Sequence, residues 1–165
     1  MKDALAALPF HVPLASESAL ELEFTNLSRI VALPGKEATI RGFSGVSLLI
    51  VDEASRVPDE LYQAVRPMLA VSAGRIVLLS TPFGARGFFH QEWTAGGADW
   101  QRTKVTADQC PRILRVWLEQ ERRAIPDNVF RSEYLCEFTD TLDSVFSYDD
   151  IQRALDDDIK PLFGV

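Results

Sequence analysis

The chain of 165 residues has only two cysteines, Cys110 and Cys136. They form no CxxC pair and belong to no Cys/His cluster, which excludes a disulfide scaffold and a structural zinc site. They read as two small core residues of a protein kept in a reducing compartment. A basic surplus is missing too: 17 Lys and Arg against 24 Asp and Glu leave a formal net charge of −7. Blanket attraction to nucleic acid needs such a surplus, so any DNA contact has to come from a local patch. No apolar run approaches the roughly 18 residues that span a bilayer, and no membrane association is expected. Internal repeats and low-complexity tracts are absent. The opening stretch, MKDALAALPFHVPLA, has the outline of a leader, but Asp3 offsets Lys2, and Pro9, His11 and Pro13 break the apolar run. It reads as the tail of a helix and a loop, and the expected location is the cytoplasm.

What is present can close a core without staples, since 47% of residues are hydrophobic and 25% charged. Residues 20–33, LELEFTNLSRIVAL, alternate apolar and polar around Asn26, the pattern of a β-hairpin. Leu27 is an awkward residue for its turn, where Gly is favoured. Val46 and Leu48 to Val51 form a near-continuous apolar run, the mark of a parallel strand buried on both faces. A helix follows: Pro58 suits its first position, Asp59 and Glu60 suit its positive end, and Leu61, Tyr62, Val65, Met68 and Leu69 give it an apolar face. Pro67 has no N–H for the ladder, so it kinks or ends that helix. Arg75–Ser80 reads as a second buried strand, completing a βαβ unit.

Beyond it come a turn with Gly84 and Gly87, a short helix near Phe88–Trp93 and a strand around Gln101–Thr106. Two amphipathic helices follow, one with Ile113, Leu114, Trp117 and Leu118, the other starting at Pro126 with Phe130 and Tyr134. From Tyr148 the chain is acidic and loosely packed, with a short helix over Asp149–Leu155. The predicted class is α/β, with a mainly parallel sheet, an N-terminal hairpin and C-terminal helices.

The strand that ends LLIVDEAS (48–55) sets Asp52 and Glu53 at the carboxyl edge of a parallel sheet, where open α/β folds bind ligands. Asp52 suits Mg²⁺ on a nucleotide phosphate, held through water, because Mg²⁺ takes few carboxylates and keeps its waters. Glu53 would then orient and polarise an attacking water. The plain alternative is a strand that ends in two solvated acids. The next strand ends LLSTP (78–82) at the same edge, where Ser80 and Thr81 can hydrogen-bond toward phosphate and Pro82 stiffens the exit. The two motifs in order point to an NTPase.

Arg41 is either a charge-stabilising arginine, acting in cis or toward a ring neighbour, or a structural ion-pair partner. His90 reads as exposed on a short helix. Trp93, Trp100 and Trp117 read as core residues ahead of base-stacking platforms. Arg115, Arg122 and Arg123 make at most a modest basic patch, and Asp156, Asp157 and Asp158 a solvated acidic face.

These segments together resemble the ATPase motor domain of the large terminase subunit of tailed phages and prophages. The resemblance runs through SRIVALPG (28–35), TIRGFSG (39–45), LLIVDEAS, GRIVLLSTPFGARGFF (74–89), FRSEYLCEF (130–138) and VFSYDDI (145–151). It implies a partial RecA-like P-loop NTPase domain of the ASCE type over residues 1–145, and a linker over 146–165 toward a nuclease domain. It puts the Walker B acid on Asp52, the catalytic glutamate on Glu53 and the coupling motif on Ser80, Thr81 and Pro82. ATP and Mg²⁺ follow as cofactors, double-stranded DNA, portal and small terminase subunit as partners, and the bacterial host cytoplasm as location.

The phosphate loop GxxxxGK(S/T) is not found: at Gly35-Lys36, Ile30 stands where the first Gly belongs and Glu37 replaces Ser or Thr. Leu27 stands where the family has Gly. The expectation is therefore a motor fragment whose phosphate-loop part lies upstream or on a separate chain, inactive alone. The alternatives are a degenerate ATPase fold serving as an assembly module, or the first lobe of a superfamily-2 helicase. The latter needs a second lobe, for which the residues after 140 leave no room.

Overall fold

The computed structural model describes residues 2–33 and 42–139. They divide into two compact units, residues 1–43 and the chain from Ser44 onward. The first unit opens with the short helix α1 (Lys2–Ala6), as expected of the leading segment. A three-stranded antiparallel sheet follows, β1 (Leu14–Glu17), β2 (Glu21–Phe24) and β3 (Arg29–Val31), in the order β1-β2-β3. The expected hairpin is β2–β3, paired Glu21 with Val31 and Glu23 with Arg29. Its alternation is real, because Leu22 and Phe24 are buried while Glu21 and Glu23 point the other way.

The turn is held by Asn26, whose Oδ1 accepts from the Ser28 N–H at 3.0 Å and the Ser28 hydroxyl at 2.6 Å. Leu27 takes the left-handed conformation, φ 67°, with its side chain in solvent. The awkward residue is tolerated because its neighbour does the turn chemistry. Strand β1 was not legible, since LASE carries no alternation and only Leu14 is even half-buried.

In the second unit β4 (Leu48–Val51) and β5 (Arg75–Leu78) pair in parallel, Leu48 with Arg75 through Val51 with Leu78. Helix α2 (Asp59–Val65) joins them, its N-cap at Pro58. It stops where Pro67 was expected to stop it, and the chain tightens into a 3-10 turn over Arg66–Leu69. A Cβ on Gly74 would lie 2.1 Å from the Val46 carbonyl oxygen, so only glycine lets the two strand entrances meet. After β5 come α3 (Gly87–Ala95), α4 (Arg115–Ala124) and α5 (Asp127–Leu135). Asp59 caps α3 rather than its own helix, accepting from the Phe88 N–H at 2.8 Å.

Ala54, Tyr62, Phe88 and Phe89 form the core, with Val51, Ile76, Leu78 and Phe138 packed against them. The rings of Tyr62 and Phe88 stack at 3.9 Å.

Five expectations need correction. The β4 and β5 strands are covered on one face only: Leu48, Ile50, Val77 and Leu79 are exposed, and among the described residues nothing packs over them. A continuous apolar run states that both faces are apolar, not that both are covered. Gln101–Thr106 is no strand; Val105 is exposed, and Thr106 instead caps a 3-10 turn over Ala107–Gln109 in a capping box. Cys110 and Cys136 are free thiols, half-buried rather than core. Trp117 is 45% exposed on α4, edge-on to Tyr134, while His90 is half-buried edge-on to Phe138. Arg41, the 146–165 linker, the Asp149–Leu155 helix and the Asp156–Asp158 run lie outside the described residues.

Burial, then its hydrogen bond to Glu92 at 2.9 Å, pushes the Tyr62 phenol up to about 12, partly offset by Arg66. The folded chain therefore holds the proton where an unfolded chain, ionising near 10, releases it. The stabilisation is intact below about pH 10 and is lost as pH rises toward about 12. Denaturant titrations across that window should show falling stability in the native chain and a shallower fall in Tyr62→Phe.

Candidate nucleotide site

Because β4 and β5 are parallel and in register, their carboxyl ends emerge at one edge. The Leu79 N–H donates to the Val51 carbonyl at 2.9 Å, and the Ala54 N–H donates to the Leu79 carbonyl at 3.0 Å. The ladder therefore carries past both strands into their loops. Side chains close the junction: Ser80 Oγ accepts from the Ser55 N–H at 3.1 Å, and the two serine hydroxyls lie 2.7 Å apart. Ala54, the first residue of the 3-10 turn Ala54–Arg56 that follows the acids, is fully buried.

Asp52 and Glu53 are exposed at the lip of this edge. Asp52 Oδ1 accepts from the Glu53 N–H at 3.0 Å. A carboxylate retains acceptor capacity beyond one such bond, so Asp52 fits the water-mediated Mg²⁺ role. Among the described residues no three His, Cys, Asp or Glu converge as a protein-built metal cage. One carboxylate is the donor set that suits Mg²⁺ on a phosphate. Glu53 sits in the left-handed region, φ 51° and ψ 39°. That conformation costs an L-residue on the order of 1–2 kcal/mol and collects at functional sites.

Ser80 is bonded to Ser55, and Thr81 donates its hydroxyl to Glu133 Oε2 at 2.9 Å. Pro82 is buried, and its carbonyl accepts from the Ser132 hydroxyl. The edge thus joins Asp52, Glu53, Ser80, Thr81 and Pro82, although the two hydroxyls have protein partners. Four contributors escaped the sequence reading: Ser55, Arg56, Ser132 and Glu133. Arg56 donates to Glu133 Oε1 at 3.1 Å, stands 3.9 Å from Glu53 Oε2 and lies 4.2 Å over the Phe83 ring. Phe130 and Tyr134 mark the apolar side of α5, whereas Ser132 and Glu133 belong to the polar run Arg131-Ser132-Glu133, which reads as a solvated face and carries no local signal of a site. An apolar cavity of about 210 Å³ opens beside Ser80, bounded by Phe89, Trp93, Cys136 and Phe138. Burial there pushes the Cys136 thiol up from its ordinary value.

Residues 11–153 match the family described as terminase large subunit, T4likevirus-type, N-terminal. The chain belongs to the terminase large subunit family. Curated relatives are the terminase large subunits of Thermus phage G20c and Thermus virus P23-45, each 29% identical over 119 residues. Those matches cover 62% of this chain and 24% of each relative, so the chain spans about a quarter of their length. The fold resembles that of the Thermus phage P74-26 large terminase ATPase domain, with TM-score 0.58 and 22% identity over 77% of this chain and 63% of that one. An arginine-to-alanine mutant of that domain gives the same TM-score over 72% and 60%. Of the segments that suggested a terminase, LLIVDEAS, GRIVLLSTPFGARGFF and FRSEYLCEF lie among the described residues, whereas SRIVALPG and TIRGFSG lie partly and VFSYDDI wholly outside them.

The strain at Glu53 makes a prediction about this terminase chain. Glu53→Gly removes the left-handed penalty and should raise unfolding stability by about 1 kcal/mol in denaturant titrations. Unchanged or lower stability would mean that contacts of the carboxylate outweigh the strain.

Proposed function

We propose that this chain is part of the ATPase motor of a DNA-packaging terminase, a partial RecA-like domain over residues 1–145 with a linker over 146–165. The observation that carries the reading is the joined strand edge, where Asp52 and Glu53 lie across the Ser55–Ser80 bridge from Ser80, Thr81 and Pro82. Bound Mg²⁺·ATP would supply the phosphoryl group and the cation that neutralises its charge. Asp52, as the Walker B acid, would hold the cation through water. Glu53, strained and solvent-facing, would orient and polarise the attacking water. The Ser80-Thr81-Pro82 step would carry the nucleotide state onward, its hydroxyls being already tied to Ser55 and α5. Double-stranded DNA, the portal and the small terminase subunit are the partners this reading implies, in the bacterial host cytoplasm.

These residues alone do not form a phosphate cradle, because no GxxxxGK(S/T) segment occurs among the 165. Losing even one preplaced donor costs about a hundred- to a thousandfold in rate. The 165-residue chain should therefore release no phosphate from ATP by itself. Supplied with a polypeptide carrying a family GxxxxGK(S/T) segment, it should bind Mg²⁺·ATP by calorimetry, and Glu53→Gln should abolish hydrolysis while leaving binding. Phosphate release by the chain alone that Glu53→Gln removes, or no binding in either case, would contradict the proposal.

A further inference from the structure

Resting on the nucleotide-site reading above, we propose that Glu133 is a positioning residue for Glu53, competing for Arg56 and keeping that guanidinium from closing onto the Glu53 carboxylate. Arg56 lies between two carboxylates. It is within hydrogen-bond distance of Glu133, at 3.1 Å, and only within ion-pair range of Glu53, at 3.9 Å. The guanidinium also lies over the Phe83 ring, 4.2 Å from its centroid, a cation–π contact that favours its place between the two carboxylates. The other Glu133 oxygen takes the Thr81 hydroxyl at 2.9 Å, so one carboxylate spans the turn after β4 and the loop after β5. Ser132, the preceding residue of α5, anchors the helix to the Pro82 carbonyl and sets Glu133 at that height.

The chemistry gives this placement a consequence. A carboxylate engaged by a guanidinium in a close charge-assisted pair has fewer lone pairs for water. A general base or water-orienting group needs those lone pairs. Held by Glu133, Arg56 leaves Glu53 open to solvent, its side chain 66% exposed. Released, Arg56 has Glu53 within a short side-chain swing. The loop that carries Thr81 thus acts on Glu53 through α5, without touching it.

Side-chain NMR of the 165-residue chain tests this directly through solvent exchange of the Arg56 Nε–H. In Glu133→Gln that exchange should slow by roughly tenfold as Arg56 moves onto Glu53, the scale of one charge-assisted hydrogen bond. Adding Glu53→Gln should reverse the slowing, which a merely structural disturbance would not do. Glu133→Asp, which keeps the charge but shortens its reach, should give the same change at smaller amplitude and serves if Glu133→Gln fails to fold. In the reconstituted hydrolysis assay Glu133→Gln should lower kcat by about tenfold or more with KM for ATP within about twofold. Unchanged exchange, exchange that stays slow when Glu53→Gln is added, or unchanged kcat in an assembly that hydrolyses ATP would each overturn the proposal. Absence of hydrolysis in the unsubstituted assembly contradicts the nucleotide-site reading instead, and the exchange experiment then decides the role of Glu133.

Discussion

The bridge between Ser55 and Ser80, 2.7 Å from hydroxyl to hydroxyl, is the constraint on which the rest of the site depends. Two parallel strands bring their exits to one edge, but the loops beyond them are free to diverge once the ladder ends. Here they do not diverge. The Ala54 N–H bonded to the Leu79 carbonyl extends the ladder by one step, and the serine pair closes the next. A half-buried hydroxyl pair contributes only about 1 kcal/mol net, yet leaving one partner unsatisfied costs more than the bond gains. Acids on one loop and the hydroxyl-proline step on the other are thereby held as a single surface. Ala54 makes this possible from below, because only a small side chain lets the turn settle against Tyr62, Phe88 and Phe89.

From this junction the structure runs outward in two directions. Toward solvent, Glu53 is held in a left-handed conformation unfavourable to an L-residue, its side chain largely exposed and its carboxylate 3.9 Å from Arg56. Toward the interior of the unit, α5 grips both loops within two consecutive residues, Ser132 on Pro82 and Glu133 on Thr81 and Arg56. The two strand-end loops and α5 are thus joined by a short polar chain of contacts among otherwise apolar layers, where each broken link is costly.

Most of the scaffold was legible because it follows from periodicity and punctuation. The apolar runs of β4 and β5, the Asp-Glu pair after the first and the Pro67 stop of α2 are local properties, read without knowing the fold. What failed was whatever depended on a distant partner. Whether Ile50 and Val77 are covered depends on what lies over them, and their own sequence is the same either way. Val105 has the composition of a strand residue but no strand to pair with, so the segment ends in a capping box. Arg56 and Glu133 stand 77 positions apart, and nothing local to either announces the other. The acids of the candidate site were visible because they end a strand; the residues that hold them in place were not, because their reason is tertiary.

The most direct measurement is a double-mutant cycle on Ser55→Ala and Ser80→Ala, read by denaturant unfolding. If the two strand exits form one surface through this bridge, the substitutions should be coupled by about 0.5–1.5 kcal/mol. Additive effects, with coupling near zero, would show that the loops stand independently and that the acids and the hydroxyl-proline step do not belong to one site.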